Sequence, residues 1–154
     1  MPNYLRPKQS GATIFFTVAL ADRSSQLLID DIQGLREAVI KTRQERPFKI
    51  DAWVVLPDHM HCIWTLPAGD SDYATRWRLI KSRFSRRHPV GPRSKSHMAR
   101  NERGIWQRRY WEHHIRDRED YDTHIRYCWV NPVKHGYVEN PEDWPFSTIN
   151  AFGP

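Results

Sequence analysis

The chain has only two cysteines, Cys62 and Cys128, in 154 residues. Two thiols cannot build a four-cysteine zinc site, and in a reducing compartment they need not form a disulfide. No apolar run approaches the ~18 residues that a membrane span needs. The first sixteen residues, MPNYLRPKQSGATIFF, lack the charged-then-apolar build and small-residue cleavage site of a secretory signal, so a cytoplasmic protein with no membrane partner is expected. No internal repeat, low-complexity tract or second domain is visible. What is present suits one globular domain over 1–154, because 39% of residues are hydrophobic and 12% aromatic, enough for a core and unlike a disordered basic tail.

The formal charge of +6 is unevenly spread. Residues 1–75 carry −1, residues 76–109 carry +11 and residues 110–154 carry −4, and 10 of the 12 cations in the middle segment are arginine. Arginine presents a fork of donors that matches phosphate oxygens, and the interleaved Trp77, Phe84 and Trp106 suit a nucleic-acid strand. A solvated helix face followed by a basic loop would look the same by charge alone.

The order of elements reads β-α-β-β-α-(β)-α. Thr13 to Leu20 is a β-branched and aromatic strand. Leu27 to Glu45 repeats apolar residues at helical spacing. Phe48 to Leu56 and His59 to Leu66 are strands joined by the turn at Pro57-Asp58. Asp70, Ser71 or Asp72 can cap a helix to about Arg87. The stretch 88–104 reads as a mobile basic loop, and Ile105 to Ile115 has strand-like aromatics without a clean period. Asp117 caps a final helix expected to stop at Asn131-Pro132, since proline steers its predecessor away from helical angles. The segment 140–154 should pack on the body through Trp144 and Phe146. This pattern predicts an α+β fold, a ferredoxin-like antiparallel sheet with helices packed on it and one extra C-terminal helix.

His59 and His61 stand two apart on a predicted strand, so both imidazoles face one way while Met60, Cys62 and Trp64 face the other. Two parallel imidazoles are half of a divalent-metal site; one histidine in water and one hydrogen-bonded on the sheet would read the same. On the last helix Tyr121, Ile125, Cys128 and Trp129 form an apolar stripe, and Tyr127 and Asn131, an i, i+4 pair, lie on its flank. A metal, a tyrosine hydroxyl and a cationic segment together are the parts needed to break a phosphodiester. The metal polarises the phosphate, and the phenol attacks it as a covalent nucleophile whose phosphotyrosine conserves the bond energy.

The stretch Leu56-Pro-Asp-His-Met-His-Cys-Ile-Trp resembles the histidine-bearing strand of the HUH single-tyrosine transposases. Ile105-Trp-Gln-Arg-Arg-Tyr-Trp-Glu-His, His124-Ile-Arg-Tyr-Cys-Trp-Val-Asn-Pro-Val-Lys-His-Gly-Tyr-Val and Asp143-Trp-Pro-Phe-Ser are similar to the REP-associated tyrosine transposases among them, from about Tyr4 to Ile149. The resemblance implies an HUH endonuclease fold, Mg²⁺ or Mn²⁺ on His59 and His61, attack by Tyr127, and a 5′-phosphotyrosine with a free 3′-hydroxyl on cleaved single-stranded DNA. Asn131 falls where relatives place a polar third metal ligand. The implied substrates are extragenic palindromic repeats folded as hairpins, and the implied assembly is a monomer or a homodimer.

Arg76, Arg78, Lys81, Arg83, Arg86 and Arg87 on the second long helix are expected to engage phosphates, Trp106 and Gln107 to contact bases or support the site, and Lys134 to contact the 3′ side of the cut or cap carbonyls, with Arg108 and Arg109 in the same DNA-binding set. Trp106 also reads as a core residue, and His113 and His114 as surface or structural residues. Two rivals to the nuclease are a module that binds repeat hairpins without cutting them and an RNA-binding ferredoxin-like domain. The latter is disfavoured by the absence of an aromatic RNP-type strand.

Overall fold

A computed structural model describes residues 11–89, 94–99 and 103–150. Strands β1 (Thr13–Ala19), β2 (Lys49–Val55), β3 (His59–Thr65) and β4 (Trp111–His114) form an antiparallel sheet in the order β2-β3-β1-β4. That order and the α+β class agree with the ferredoxin-like pattern expected from sequence. The ambiguous stretch after Ile105 supplies β4 at one edge, a strand of four residues.

Side-chain alternation divides the sheet into two faces, each covered by helix. On one, Ile14, Phe16, Val18, Met60, Cys62 and Trp64 pack under α2 (Ile32–Glu45) and α3 (Tyr73–Ser85), with Leu35, Trp77, Ile80 and Phe84 closing the layer. On the other, Phe15, Ala52, Val54 and Ile63 meet Ile125, Cys128 and Trp129 of α5 (Arg118–Lys134). Both cysteines are free and buried, one on each face, and burial pushes both thiols up, which leaves them inert packing groups.

Three element boundaries differ from expectation, each for a local reason. The helix expected over Leu27 to Glu45 is broken into α1 (Leu27–Asp30) and α2, because the Asp31 carboxylate accepts from the Gly34 N–H and caps a new start. The basic stretch 88–104 lies partly outside the described residues, but its described part includes a short helix, α4 (Lys95–Ala99). There His97 is buried and hydrogen-bonded to the Trp106 carbonyl at 2.9 Å, so this part of the expected loop is docked on the body. The third concerns α5, which is capped by Asp117 as expected but runs through Pro132 to Lys134. Pro132 removes a single helical donor near the end, and the burial of Cys128 and Pro132 outweighs that local cost. The chain leaves the helix through His135 and Gly136, whose φ of 79° is the left-handed conformation that glycine favours just past a helix end.

The C-terminal segment is tied to β2. Trp144 Nε1 donates to the Val55 carbonyl at 2.8 Å, Val55 N donates to the Phe146 carbonyl at 2.9 Å, and Thr148 Oγ1 accepts from Trp53 N at 3.0 Å and from Trp129 Nε1 at 3.2 Å. The segment thereby covers the outer edge of β2 and joins it to α5. Residues 151–154 of the expected tail lie outside the described residues.

Arg76 is 2% exposed and fastens the start of α3 to the end of α2. It donates to the Asp70 carboxylate at 2.8 and 3.1 Å and to the carbonyls of Arg46, Pro47 and Asp72 at 3.0, 2.8 and 2.9 Å. Its hydrogen bond leads the effects that bring the Asp70 carboxyl down to about 2. A lowered carboxyl stabilises the fold above its ordinary range and loses that contribution as pH falls through the folded value. Arg76→Leu should therefore cost roughly 3 kcal/mol in urea unfolding at neutral pH. It should also abolish the share of acid sensitivity that the wild-type protein shows between about pH 4 and 2.

Candidate active site

β3 is paired on both sides, and His59 and His61 project from it onto the α5 face. Both are buried and differently held. His61 is opposite Thr17 of β1, and its Nδ1 lies 2.8 Å from the Thr17 hydroxyl. His61 Nε2 is buried with no hydrogen-bond partner. The Nδ1 of His59 lies 2.8 Å from Asp58 Oδ1, and the other Asp58 oxygen takes a hydrogen bond from Arg23 Nε. Burial opposes ionisation of Asp58, yet the hydrogen bonds from Arg23 and His59 hold its carboxyl below the ordinary range.

Burial lowers the His59 imidazole despite Asp58. Burial, reinforced by His59, His135, Lys134 and Arg23, takes His61 down to about 3. Both rings are thus neutral near pH 7. With the Nδ1 positions committed to oxygen, each can direct an Nε2 lone pair outward, the state in which imidazole ligates a metal.

α5 supplies the other half. Tyr121 donates to Asp51 Oδ1 at 2.9 Å, at a break in the β2–β3 register between Ile50 and Ala52, and Cys128 is sunk between helix and sheet. Burial, then the carboxylate of Asp51, pushes the Tyr121 hydroxyl up to about 12, so this tyrosine is an anchor. Tyr127 is different. Its ring packs edge-on against His61 at 5.1 Å and Phe15 at 5.8 Å, the residue is 37% exposed, and its hydroxyl has no hydrogen bond to a described residue. Lys134 Nζ lies 5.3 Å from the ring centroid.

One turn after Tyr127, Asn131 is fully buried, and neither atom of its amide has a partner. An orphaned buried amide is costly. Because α5 continues through Pro132, His135 also joins this stripe, 5.3 Å from His59 between ring centroids. The orphaned atoms of His61 and Asn131, with the neutral imidazole of His59, are donors that a divalent ion would satisfy, so these residues fit the metal that the sequence resemblance implies.

Sequence reasoning missed the supporting residues Thr17, Asp58, Arg23 and Phe15. Asp58 directly precedes the histidines and was legible there only as a turn residue, while Thr17 and Phe15 become visible only through strand register. It also missed a second cluster. His113 Nε2 lies 2.9 Å from Asp120 Oδ2 and His124 Nδ1 3.1 Å from Asp120 Oδ1, with the two imidazoles stacked at 4.6 Å. These groups also have metal-ligand spacing. Here, however, the carboxylate is met by both histidines and by the Arg116 N–H at 2.9 Å, which makes the cluster a clasp from β4 to α5.

The cationic segment is less available than its charge suggested. α3 packs on the face of the sheet opposite His59 and His61. Arg76 is consumed by Asp70, Arg83 pairs with Glu45 at 2.6 Å, and Arg87 pairs with Asp31 at 2.8 Å, so half of the six cations on and just after this helix are engaged by acidic partners, and Arg83 and Arg87 stitch it to α2 and its cap. The expectation that Arg76 engages phosphate is corrected by its burial. Trp106, 5% exposed, donates from Nε1 to the Lys81 carbonyl and is a core residue not placed to contact bases. Lys81 Nζ bonds the Gln107 carbonyl at 3.0 Å, and Arg86 reaches Ser82 at 3.1 Å. Arg78, Gln107, Arg109 and Lys134 present exposed side chains, and Arg108 is half-buried.

No protein-family model matches the chain. It is 51% identical over 150 residues, 97% of this chain and 84% of the relative, to the REP-associated tyrosine transposase of Escherichia coli K12. It is 43% identical over 152 residues, 97% and 86% of the two chains, to a protein of Haemophilus influenzae carrying the same family name. Among solved structures, a REP-associated tyrosine transposase bound to a REP hairpin aligns with a TM-score of 0.82 at 50% identity, over 98% of this chain and 84% of that one. A Deinococcus radiodurans protein assigned as a transposase aligns with a TM-score of 0.50 at 14% identity, over 90% and 99% of the two chains, a likeness of fold alone. A tyrosine set against paired histidines on this sheet, together with identity of this extent, places the chain in the family of REP-associated tyrosine transposases.

Proposed function

We propose that the protein cleaves and transfers single-stranded DNA at repeat hairpins through a covalent link to Tyr127. The observation that carries this reading is the wet, unengaged Tyr127 hydroxyl beside His61, whose Nε2 is buried without a partner together with the Asn131 amide. A related structure bound to a REP hairpin supports the substrate class.

His59, His61 and Asn131 would hold the Mg²⁺ or Mn²⁺, which when bound supplies Lewis-acid polarisation of the scissile phosphate. Tyr127 Oη attacks phosphorus and loses its proton, the P–O3′ bond breaks, and the 3′-oxygen takes up a proton from solvent. The product is a 5′-phosphotyrosine and a free 3′-hydroxyl, and attack by a DNA hydroxyl in the reverse sense rejoins the strand. Phe15 and His61 fix the phenol ring between them, and the Lys134 ammonium lies close enough to favour the phenolate and the phosphate it meets. The Asp58 carboxylate, which accepts, holds His59 in the tautomer that keeps Nε2 free, and the Thr17 hydroxyl orients the His61 ring.

Incubation with Mn²⁺ and a labelled hairpin carrying a single-stranded tail should give an adduct that survives denaturation. Tyr127→Phe should lack it, and His59→Ala and His61→Ala should reduce it by at least ~100-fold. Hairpin binding without any adduct across a range of metals would leave a non-cleaving binding module as the function.

Asp58→Asn and Thr17→Val should each weaken Mn²⁺ binding about 10- to 100-fold in calorimetry while leaving the protein folded. Affinities equal to wild type would show that the histidines need no such support.

The charge distribution makes a third test. Lys134→Ala should lower both hairpin affinity and the salt slope of binding, each lost phosphate contact removing about one unit of slope. Arg83→Ala and Arg87→Ala should leave the slope unchanged, because their partners are Glu45 and Asp31. A slope that falls only with the α3 arginines would put the DNA on the opposite face.

A further inference from the structure

Trp111 is 64% exposed, the most exposed large apolar side chain among the described residues. It belongs to β4, the edge strand, and makes no ring contact with a described residue. Its direction is fixed by its neighbours. Glu112 accepts a hydrogen bond from Tyr73, which begins α3 on one face, while His113 reaches Asp120 of α5 on the other. Alternation therefore puts Trp111 on the α5 face.

Register then gives its position. Trp111 is opposite Thr17 of β1, and Thr17 is opposite His61 of β3. The three form one row across the sheet, with the Thr17 hydroxyl bonded to His61 at one end of the row and the indole free at the other. At ~4.8 Å per strand the Trp111 backbone lies about 10 Å from that of His61. The row is open, since Thr17 is only half-buried and Trp111 is exposed. Just ahead of Trp111, Gln107 and Arg109 are exposed on the segment that enters the strand.

A large indole left in water beside a reactive site has a use if a flat apolar group covers it in the working complex. We infer that Trp111 is a stacking platform for an unpaired nucleobase of the DNA strand that leads to Tyr127, with Arg109 available to the neighbouring phosphate. The inference rests on the single-stranded DNA reading of the site. It names the occupant of the open end of the row, an unpaired base, because an aromatic face flanked by a cation is the combination that single strands use.

The test compares a hairpin with a short single-stranded tail to the same hairpin without one, using wild type, Trp111→Ala and Trp111→Phe. Stacking predicts that Trp111→Ala binds the tailed hairpin roughly 5- to 100-fold more weakly. Trp111→Phe should recover most of that loss, and all three proteins should bind the tailless hairpin alike. The tailed hairpin should also quench tryptophan fluorescence in wild type more than in Trp111→Phe. Equal affinity of Trp111→Ala and wild type for the tailed hairpin would overturn the inference. So would an equal loss for both hairpins, or a loss that sedimentation traces to a broken dimer. The Tyr127 adduct is scored separately at saturating DNA. An adduct formed by a Trp111→Ala protein of undiminished affinity keeps the chemistry and rejects the platform, whereas tail-dependent loss without any wild-type adduct keeps the platform and rejects the chemistry.

Discussion

Because β3 is hydrogen-bonded to β1 on one side and β2 on the other, its side chains can go only to the two faces of the sheet. Met60, Cys62 and Trp64 fill the face under α2 and α3, so His59 and His61 have no freedom about which way they point. The site depends on that constraint. A slip of one residue in register would bury both imidazoles in the aromatic layer and turn Cys62 toward Tyr127. The register is held from both directions, by Phe16 and Val18 packing into the larger core and by Phe15 and Ile63 packing under α5.

α5 is attached to this sheet at points that bracket Tyr127. Tyr121 is tied to Asp51, His124 and Asp120 to His113, Cys128 is sunk in the sheet, and Trp129 is tied through Thr148 to the C-terminal segment. Between the two ends the nucleophile candidate is the exposed exception. On the proposed chemistry, a rigid helix and the Phe15 and His61 rings would confine the attacking oxygen to a small volume beside His61, the kind of positioning that lowers a barrier through entropy already spent in folding. The same packing leaves the Asn131 amide and His61 Nε2 without partners. Buried polar atoms normally find partners, so these two groups on the α5 face are where the proposed metal would find its donors.

Much of this was legible from residues whose local pattern and global role coincide. The two-residue spacing of His59 and His61, the turn at Pro57-Asp58, the cap at Asp117 and the apolar stripe of α5 all follow from periodicity or capping chemistry, and each is found in place. Pro132 misled because a local preference was overridden by burial, and the consequence is functional, since a helix ending at Asn131 would not carry Lys134 and His135 onto the stripe of Tyr127. Asp31 was read as part of a helix when its side chain starts a new one. Thr17, Phe15 and Trp111 were invisible as site neighbours because strand pairing across distant segments defines them, and one sequence carries no register between β1, β3 and β4.

The basic segment shows why a charge count is a weak guide to a binding surface. A phosphate responds to donors that are still unsatisfied and on its own side of the molecule. Arg76, Arg83 and Arg87 are satisfied by acidic partners, and they sit on the α3 face. Those acidic residues lie in the near-neutral first half of the chain, which is why the halves looked electrostatically distinct in sequence and are coupled in space. Exposed donors remain elsewhere, among them Lys134 at the end of α5, whose Nζ lies 5.3 Å from the Tyr127 ring centroid, and Arg109 and Gln107 on the segment entering β4. They lie toward the two ends of the row through His61 and Thr17. A strand drawn by these groups would follow the surface of the sheet from its edge to Tyr127, and the helix that contributes most to the charge would serve mainly to hold that sheet from behind.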